Sequence, residues 1–261
     1  MSQTRLLTLL TDFADRDVYV GVMKGAIAQI NPNIPVVDLT HQIPPQNIAA
    51  ARFCLMSAFP YFPDGTVHLA VVDPGVGSSR RAVAVELENG FLVAPDNGIL
   101  SGVLTQAIAV AAVELNNSQY WRTPKPSLTF HGRDIFAPVA AHLANGVPLR
   151  ELGSKINLDS LVELELPKCR PGMNGVVGCI QYIDVFGNLI TNIPSSYIPE
   201  KSWHVNIAGF PVSGAKTYSS VDPGEAIAII DSDGWVEIAI NQGNARSRFN
   251  SELGQIVELL F

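Results

Sequence analysis

Short apolar runs alternate with stretches of helical spacing through roughly the first 150 residues, the rhythm of strands and helices laid in alternation. Leu6-Leu7-Thr8-Leu9-Leu10 reads as a buried first strand. Val18, Val22, Met23, Ala26, Ile27 and Ile30 then recur at helical spacing until Asn31-Pro32-Asn33 stops them. Val36-Val37-Asp38-Leu39 is a second short strand, residues 48–59 carry a helix pattern after Pro44-Pro45, and 66–72 form a third strand. Residues 81–87 and 91–94 pair through Glu88-Asn89-Gly90, because Asn-Gly is a strong hairpin signal. Pro95-Asp96-Asn97-Gly98 turns into a helix running through Leu104; 107–113 is another buried strand, and 135–143 a helix with Pro138 near its start. The pattern predicts an α/β fold, with an N-terminal α/β domain whose central, mostly parallel sheet is covered on both faces.

Between Leu152 and Pro171 the rhythm changes. Lys168-Cys169-Arg170-Pro171-Gly172 ends a polar, proline-bearing connection, after which only strand-like pieces follow, at 175–183, 189–193, 203–207, 226–230, 235–240 and 255–261. Short strands separated by Gly, Pro, Asn and Asp turns predict a C-terminal small β-barrel or sandwich. The expected domains are 1–167 and 168–261.

Composition narrows the class of function. With 47% hydrophobic and 16% charged residues the chain is compact and not disordered. Its 17 basic against 24 acidic residues argue against nucleic acid as a partner and favour a small-molecule enzyme. Cys54, Cys169 and Cys179 are odd in number and lie in apolar surroundings, so they read as reduced, buried thiols without a disulfide framework. Met1-Ser2-Gln3-Thr4-Arg5 runs straight into the first strand, and no apolar run reaches about 18 residues, so no membrane is expected and the protein reads as cytoplasmic.

The candidate chemistry gathers where strands end. Open α/β sheets bind ligands beyond the carboxyl ends of their strands. Leu69-Ala70-Val71-Val72-Asp73-Pro74-Gly75-Val76-Gly77-Ser78-Ser79-Arg80-Arg81 runs from a strand into a turn carrying an acid, two glycines and paired arginines. Pro74 pushes Asp73 toward extended backbone, while Gly75 and Gly77 permit positive φ and close approach to a ligand. A tight turn with a solvated acid explains the same letters. Asp12, in Thr11-Asp12-Phe13, holds the like position after the first strand or caps the helix; for Asp17, beside that helix's first apolar residue, a cap is preferred.

Thr129-Phe130-His131-Gly132-Arg133-Asp134 sets a histidine in a donor-rich, electropositive place from which it could act on a reacting water, with a plain N-terminal cap arrangement as the alternative. His41, His68, His142 and His204 lack such neighbours and read as structural or surface residues. In the second domain Tyr182-Ile183-Asp184-Val185-Phe186-Gly187-Asn188 interrupts a strand with an acid, an aromatic, a glycine and an amide, groups that suit an amino-acid head group and a flat ring. A hairpin turn could use them too. Asp231-Ser232-Asp233-Gly234 and Asn241-Gln242-Gly243-Asn244 read first as hairpin turns.

Absent motifs matter as well. There is no Gly-x-Gly-x-x-Gly after the first strand, no Walker phosphate loop, no Cys-x-x-Cys, no His-Glu-x-x-His and no Gly-x-Ser-x-Gly. Nucleotide-phosphate binding, the usual zinc spacings and serine hydrolysis lose their main support, so neither metal nor cofactor is expected. What remains suits a polar ligand without phosphate.

Thr11-Asp12-Phe13, Val72-Asp73-Pro74-Gly75-Val76-Gly77, Arg80, Pro95-Asp96-Asn97-Gly98, Phe130-His131-Gly132-Arg133-Asp134, Asp184-Val185-Phe186-Gly187-Asn188 and Thr191-Asn192-Ile193 occur in one order across nearly the whole chain. In that combination the chain resembles the S-adenosylmethionine hydrolases, or SAM hydroxide adenosyltransferases, relatives of the fluorinase and chlorinase enzymes. The resemblance implies an N-terminal α/β domain with a seven-stranded sheet, a C-terminal β-barrel, and a homotrimer with active sites between subunits. It also implies hydrolysis of S-adenosyl-L-methionine to adenosine and L-methionine by water attack at the ribose 5′ carbon, with the R-sulfonium epimer as a further expectation.

By the same resemblance Asp73, Arg80 and His131 form the catalytic triad, Asp12 holds the ribose hydroxyls, and Asn97 lies near them. A neighbouring subunit supplies Asp184 and Ser232 to the methionine end, and Phe186 and Asn188 to the adenine. Halide-using relatives carry a tyrosine where this chain has Asp73, and a loop insertion that is missing after Asn97-Gly98-Ile99-Leu100; both departures favour water. Their arginine after the C-terminal serine is Asp233 here, which leaves carboxylate binding without that side chain. The competing readings are a nonenzymatic adenosine or S-adenosylmethionine sensor and a halogenase.

Overall fold

The structure is a computed structural model that describes residues 4–172 and 174–261. The chain divides into two compact units, Met1–Leu164 and Glu165–Phe261.

The first unit carries β1 (Leu7–Thr11), α1 (Tyr19–Ile30), β2 (Val36–Thr40), α2 (Ile48–Ala58), β3 (Thr66–Val71), β4 (Ala82–Leu87), β5 (Gly90–Pro95), α3 (Ser101–Leu104), β6 (Ala109–Glu114), α4 (Ala137–Ala144) and β7 (Ser154–Ile156). They build a seven-stranded sheet in the order β2-β1-β3-β5-β4-β6-β7. The end made of β2, β1, β3 and β5 is parallel and the rest antiparallel. Every residue of β1 and β3 is buried, as parallel strands covered on both faces must be. Thr8 and His68 are polar inside this layer and satisfy each other through an Oγ1···Nδ1 contact of 2.9 Å.

The strand order positions the site. From β1 the chain moves outward to β2, then returns past β1 to β3, so the connections leave on opposite sides between β1 and β3. That is a switch point, where the carboxyl ends of neighbouring parallel strands open a crevice. Thr11 pairs with Val71 in register, so Asp12 and Asp73 leave the two strand ends one and two residues further on, at its rim. Beneath lies a core in which Leu7, Leu9, Met23, Ile27, Leu69, Phe136 and Leu143 are buried. Truncating a filled position such as Phe136 to Ala costs about 3–5 kcal/mol.

Four local readings of the sequence need correction. Asp17 does not cap α1: the N-cap is Val18 and no side chain bonds there. The 107–113 strand begins at Ala109 and is half solvated, with Val110 exposed, because it lies toward the antiparallel end of the sheet. Glu88-Asn89 forms the β4–β5 turn, and Gly90 is already the first residue of β5, where a Cβ would press on the Thr66 carbonyl. Of the three cysteines only Cys179 is buried.

The second unit contains β8 (Arg170–Pro171), β9 (Gly175–Ile183), β10 (Leu189–Pro194), β11 (His204–Ile207), β12 (Phe210–Ser213), β13 (Ala226–Ile230), β14 (Trp235–Ile240), α5 (Ala245–Phe249) and β15 (Ile256–Leu260). The order β12-β11-β15-β9-β10-β14-β13, with β8 also on β9, is antiparallel throughout. A bridge from Gly214 to Ala228 brings the chain after β12 against β13, so the sheet curls into a nearly closed barrel. Ile180, Leu189, Ile193, Val205, Val236, Ile238 and Leu259 fill it. Among the described residues no helix is long and apolar enough to cross a membrane.

Candidate active site

Two turns bend the segment after β3 back on itself: the Val76 amide donates to the Asp73 carbonyl at 3.2 Å and the Ser78 amide to the Gly75 carbonyl at 3.1 Å. The path returns Arg80 to Asp73. Arg80 Nε donates to Asp73 Oδ1 at 2.8 Å and Nη2 to Oδ2, a fork-on-fork pair with both side chains largely buried. Arg81 turns the other way, donating from Nε to Asp96 Oδ2 at 2.9 Å and from Nη1 to Ser160 Oγ at 3.0 Å.

The same Arg80 Nη2 lies 2.8 Å from His131 Nδ1. His131 opens a π-turn over Gly132–Phe136 that runs into α4, where a plain α-helix from 135 was expected. Such turns add a residue and re-aim a side chain. Asp134, fully buried, fastens the segment before it by accepting from Arg122 Nε at 2.5 Å, Arg133 Nε and Nη2 at 2.7 Å, and the Ser127 amide at 2.9 Å. Burial opposes the Asp134 charge, yet Arg133, the Ser127 amide and Arg122 together hold its pKa well below the usual carboxylate range. The cap arrangement read from the sequence is not what forms: no side chain caps the start of this segment, and Asp134 serves as a loop anchor instead. Gly77 brings the two loops together: its φ is +78°, and a Cβ there would overlap the Leu128 carbonyl.

Asp12, Phe13, Tyr19, Pro45, Gln46, Asp73, Val76, Thr129, Phe130 and His131 line one cleft of about 390 Å³. Asp12 Oδ2 accepts the Gln46 amide at 2.8 Å. Phe13 and Tyr19 each pack edge to face on Phe130 and lie tilted against each other, with ring centroids 5.3–5.8 Å apart, as one aromatic wall. Burial and the Arg80 charge hold the His131 pKa below its ordinary value, against the smaller opposite pull of Asp73 and Asp134. Among the described residues no group of three His, Cys, Asp or Glu side chains could hold a metal ion.

Asn97 does not line this cleft; its Nδ2 donates to the Val72 carbonyl at 2.9 Å, bracing the strand end from which Asp73 projects. In the second unit Asp184 organises its own loop, accepting the Phe186 amide at 2.9 Å, the Asn188 amide at 2.8 Å and Asn188 Nδ2 at 3.0 Å. Gly187, at φ +84°, leaves room for Asn244, and Phe186 stands 71% exposed. Ser232 is exposed in the β13–β14 turn, which Asp231 closes by accepting the Asp233 and Trp235 amides. Glu237, buried on β14, accepts the Tyr218 hydroxyl at 2.7 Å; burial and the nearby Asp184 and Asp231 charges push its pKa up to about 7 against the pull of that bond.

The family model for the SAM hydroxide adenosyltransferase N-terminal domain matches residues 7–153, and that for the C-terminal domain matches 178–258. The chain belongs to this family. Within the SAM hydroxide adenosyltransferases it is 39% identical to the (R)-S-adenosyl-L-methionine hydrolase of Salinispora tropica, over 94% of each chain. It is 38% identical to the hydrolase of that name from Thermus thermophilus, over 98% of this chain and 100% of the relative. The fluorinase of Actinopolyspora mzabensis is more distant, at 24% identity over 97% and 96%. Among solved structures, an uncharacterized conserved protein from Thermotoga maritima superposes with a TM-score of 0.91 at 37% identity, covering 97% of this chain and 100% of its own.

Sequence reasoning about this SAM hydroxide adenosyltransferase missed Pro45, Gln46, Tyr19 and the Asp134 anchor. Gln46 enters the cleft through a positive φ of 64°, which its identity does not announce. The only signal was Pro44-Pro45, a stiff approach to α2.

Proposed function

We propose that the protein hydrolyses S-adenosyl-L-methionine to adenosine and L-methionine, with Asp73, Arg80 and His131 holding the water that attacks the ribose 5′ carbon. The observation that supports this is the hydrogen-bonded Asp73–Arg80–His131 trio, in which the acid and the imidazole line one cleft with Asp12 and Arg80 joins the two. The leaving group is a neutral thioether departing from a sulfonium, so it needs no proton. The demand falls on the nucleophile, and aiming a water in line with the carbon–sulfur bond removes much of the barrier.

The guanidinium can only donate, so His131 Nδ1 accepts and the neutral ring keeps its proton on Nε2. That leaves Asp73 the trio's acceptor for the proton released as the new carbon–oxygen bond forms. Arg80 keeps the carboxylate oriented throughout.

In this reading the 1–167 domain activates water and holds the ribose, and the 168–261 domain recognises the methionine and adenine ends. Asp12 binds the ribose hydroxyls, with Asn97 bracing the strand end beside them; Asp184 and Ser232 take the methionine end, and Phe186 and Asn188 the adenine. These last four come from a neighbouring copy in a homotrimer. Val185 and Phe186 expose 90% and 71% of their surface, and Val18 and Leu128 expose 73% and 72%, apolar surface of the kind a subunit contact covers. Cys54, Cys169 and Cys179, which form no disulfide with one another, fit a reducing cytoplasm.

Incubating the purified protein with each sulfonium epimer and chromatographing the products tests the reading. Adenosine and methionine formed catalytically are expected, from the R epimer first. Unchanged ligand bound tightly, or 5′-halo-adenosine when chloride is supplied, would replace it. Alanine at Asp73, Arg80 or His131 is expected to abolish turnover while adenosine binding persists; full activity in His131→Ala would exclude the triad.

A further inference from the structure

We infer that His41, outside the cleft and read from sequence as merely structural or surface, is a positioning residue that sets Asp12 for its ligand; the inference rests on the assignment of Asp12 to the ribose. His41 is buried and grips the β1 exit on both sides of Asp12-Phe13. On the near side its Nδ1 lies 2.9 Å from Thr11 Oγ1, an oxygen that also accepts the Phe13 amide at 3.2 Å. On the far side its carbonyl accepts the Ala14 amide at 2.8 Å.

The chemistry of the contact is directional. His41 Nε2 lies 3.1 Å from Asp38 Oδ1, out of line for a hydrogen bond but close enough for the carboxylate to favour a proton on that nitrogen. Nδ1 then accepts from the Thr11 hydroxyl, and Thr11 in turn accepts from Phe13. Lys24 holds Asp38 from outside at 2.5 Å. The result is a chain of side chains running from α1 through β2 to the residue before Asp12.

Backbone strain marks the same place. Ala14 at φ +53° and Gln46 at φ +64° are left-handed without being glycine, and they flank the two turns that meet over Asp12. The Gln46 amide bonds Asp12 itself, and Gln42 Nε2 reaches Asp15 Oδ2 at 2.6 Å. The Gln46 turn bonds the carboxylate, the Ala14 turn carries it, and buried His41 ties down the second of these through its carbonyl. Such supporting contacts fix a binding side chain without touching ligand.

The test compares His41→Ala, Thr11→Val and Asp12→Ala in the full chain, with S-adenosylmethionine as substrate and adenosine as ligand. Thr11→Val keeps the shape and removes only the hydroxyl, so it stands in if His41→Ala fails to fold. His41→Ala and Thr11→Val are each expected to raise KM and weaken adenosine binding by about tenfold while kcat stays within about threefold, and Asp12→Ala to raise KM at least as much. Asp12→Ala combined with His41→Ala should be no worse in KM than Asp12→Ala alone, because the histidine acts through the acid. An unchanged KM in both His41→Ala and Thr11→Val, or additive losses in the double variant, overturns the inference and leaves the hydrolase reading standing. An unchanged KM in Asp12→Ala overturns it together with the ribose assignment, and failure of the wild-type chain to release adenosine removes the hydrolase reading itself.

Discussion

Arg80 donates through Nη2 to His131 Nδ1 at 2.8 Å while its fork holds Asp73, so one guanidinium fixes both the tautomer of the ring and the orientation of the acid. Lysine cannot make the paired contact. Arg80→Lys is expected to lower kcat at least about 100-fold, in the range for losing one preorganised donor, with a smaller change in KM. Arg80→Met should also raise the His131 pKa from its depressed value, because the neighbouring positive charge is gone and Asp73 is left unopposed. An NMR titration of the imidazole reads this directly, and a pKa that falls or stays put would contradict the tautomer argument.

Gly77 is the joint between the acid's loop and the histidine's. Gly77→Ala would strain the backbone at φ +78° and drive the Leu128 carbonyl away, pulling His131 off Arg80. The strain costs about 1 kcal/mol or somewhat more of stability. The misplacement costs more, and kcat is expected to fall by about 100-fold. Thermal unfolding and steady-state kinetics separate the two effects.

The strand-end logic was legible in the chain. Asp12 and Asp73 follow apolar runs that had to be buried parallel strands, and the crevice rule placed both acids at one edge. Arg80 was legible from the residues only as one of the paired arginines after Asp73, and the family resemblance singled it out. What escaped were features set by tertiary contact. Gln46 reaches the cleft through a left-handed backbone, and the π-turn after His131 depends on Asp134 gathering Arg122 and Arg133. Asp17 was mistaken for a cap because it precedes apolar letters, yet Val18 and Tyr19 turn outward and the helix buries Val20 and Met23 instead. Periodicity counted the right residue types and misplaced the face.

Asp134 should be the acid-sensitive support of the site. Its folded pKa is depressed, so its contribution is fully present above the ordinary 3.8 and is lost as pH falls below that value. Asp134→Asn is expected to destabilise the protein by about 2 kcal/mol at neutral pH, toward the low end for charged hydrogen bonds because both arginines are partly solvated. The variant's stability should then change less than the wild type's on acidification below pH 4, as measured by urea unfolding across that range.

Glu237 gives the opposite slope. Its folded pKa is raised from 4.5 to about 7, so the stability it allows is complete below 4.5 and is lost as pH rises through 7, when the buried carboxyl must ionise beside Asp184 and Asp231. The shift corresponds to roughly 3 kcal/mol across that window. Glu237→Gln keeps an acceptor for the Tyr218 hydroxyl and cannot ionise, so its unfolding free energy should stay flat where the wild type declines. Tyr218→Phe removes the bond that favours the charged form and should move the wild-type decline to higher pH. Urea denaturation of the three proteins between pH 4.5 and 8 decides the matter: parallel curves for wild type and Glu237→Gln would mean that another group governs the neutral-pH slope.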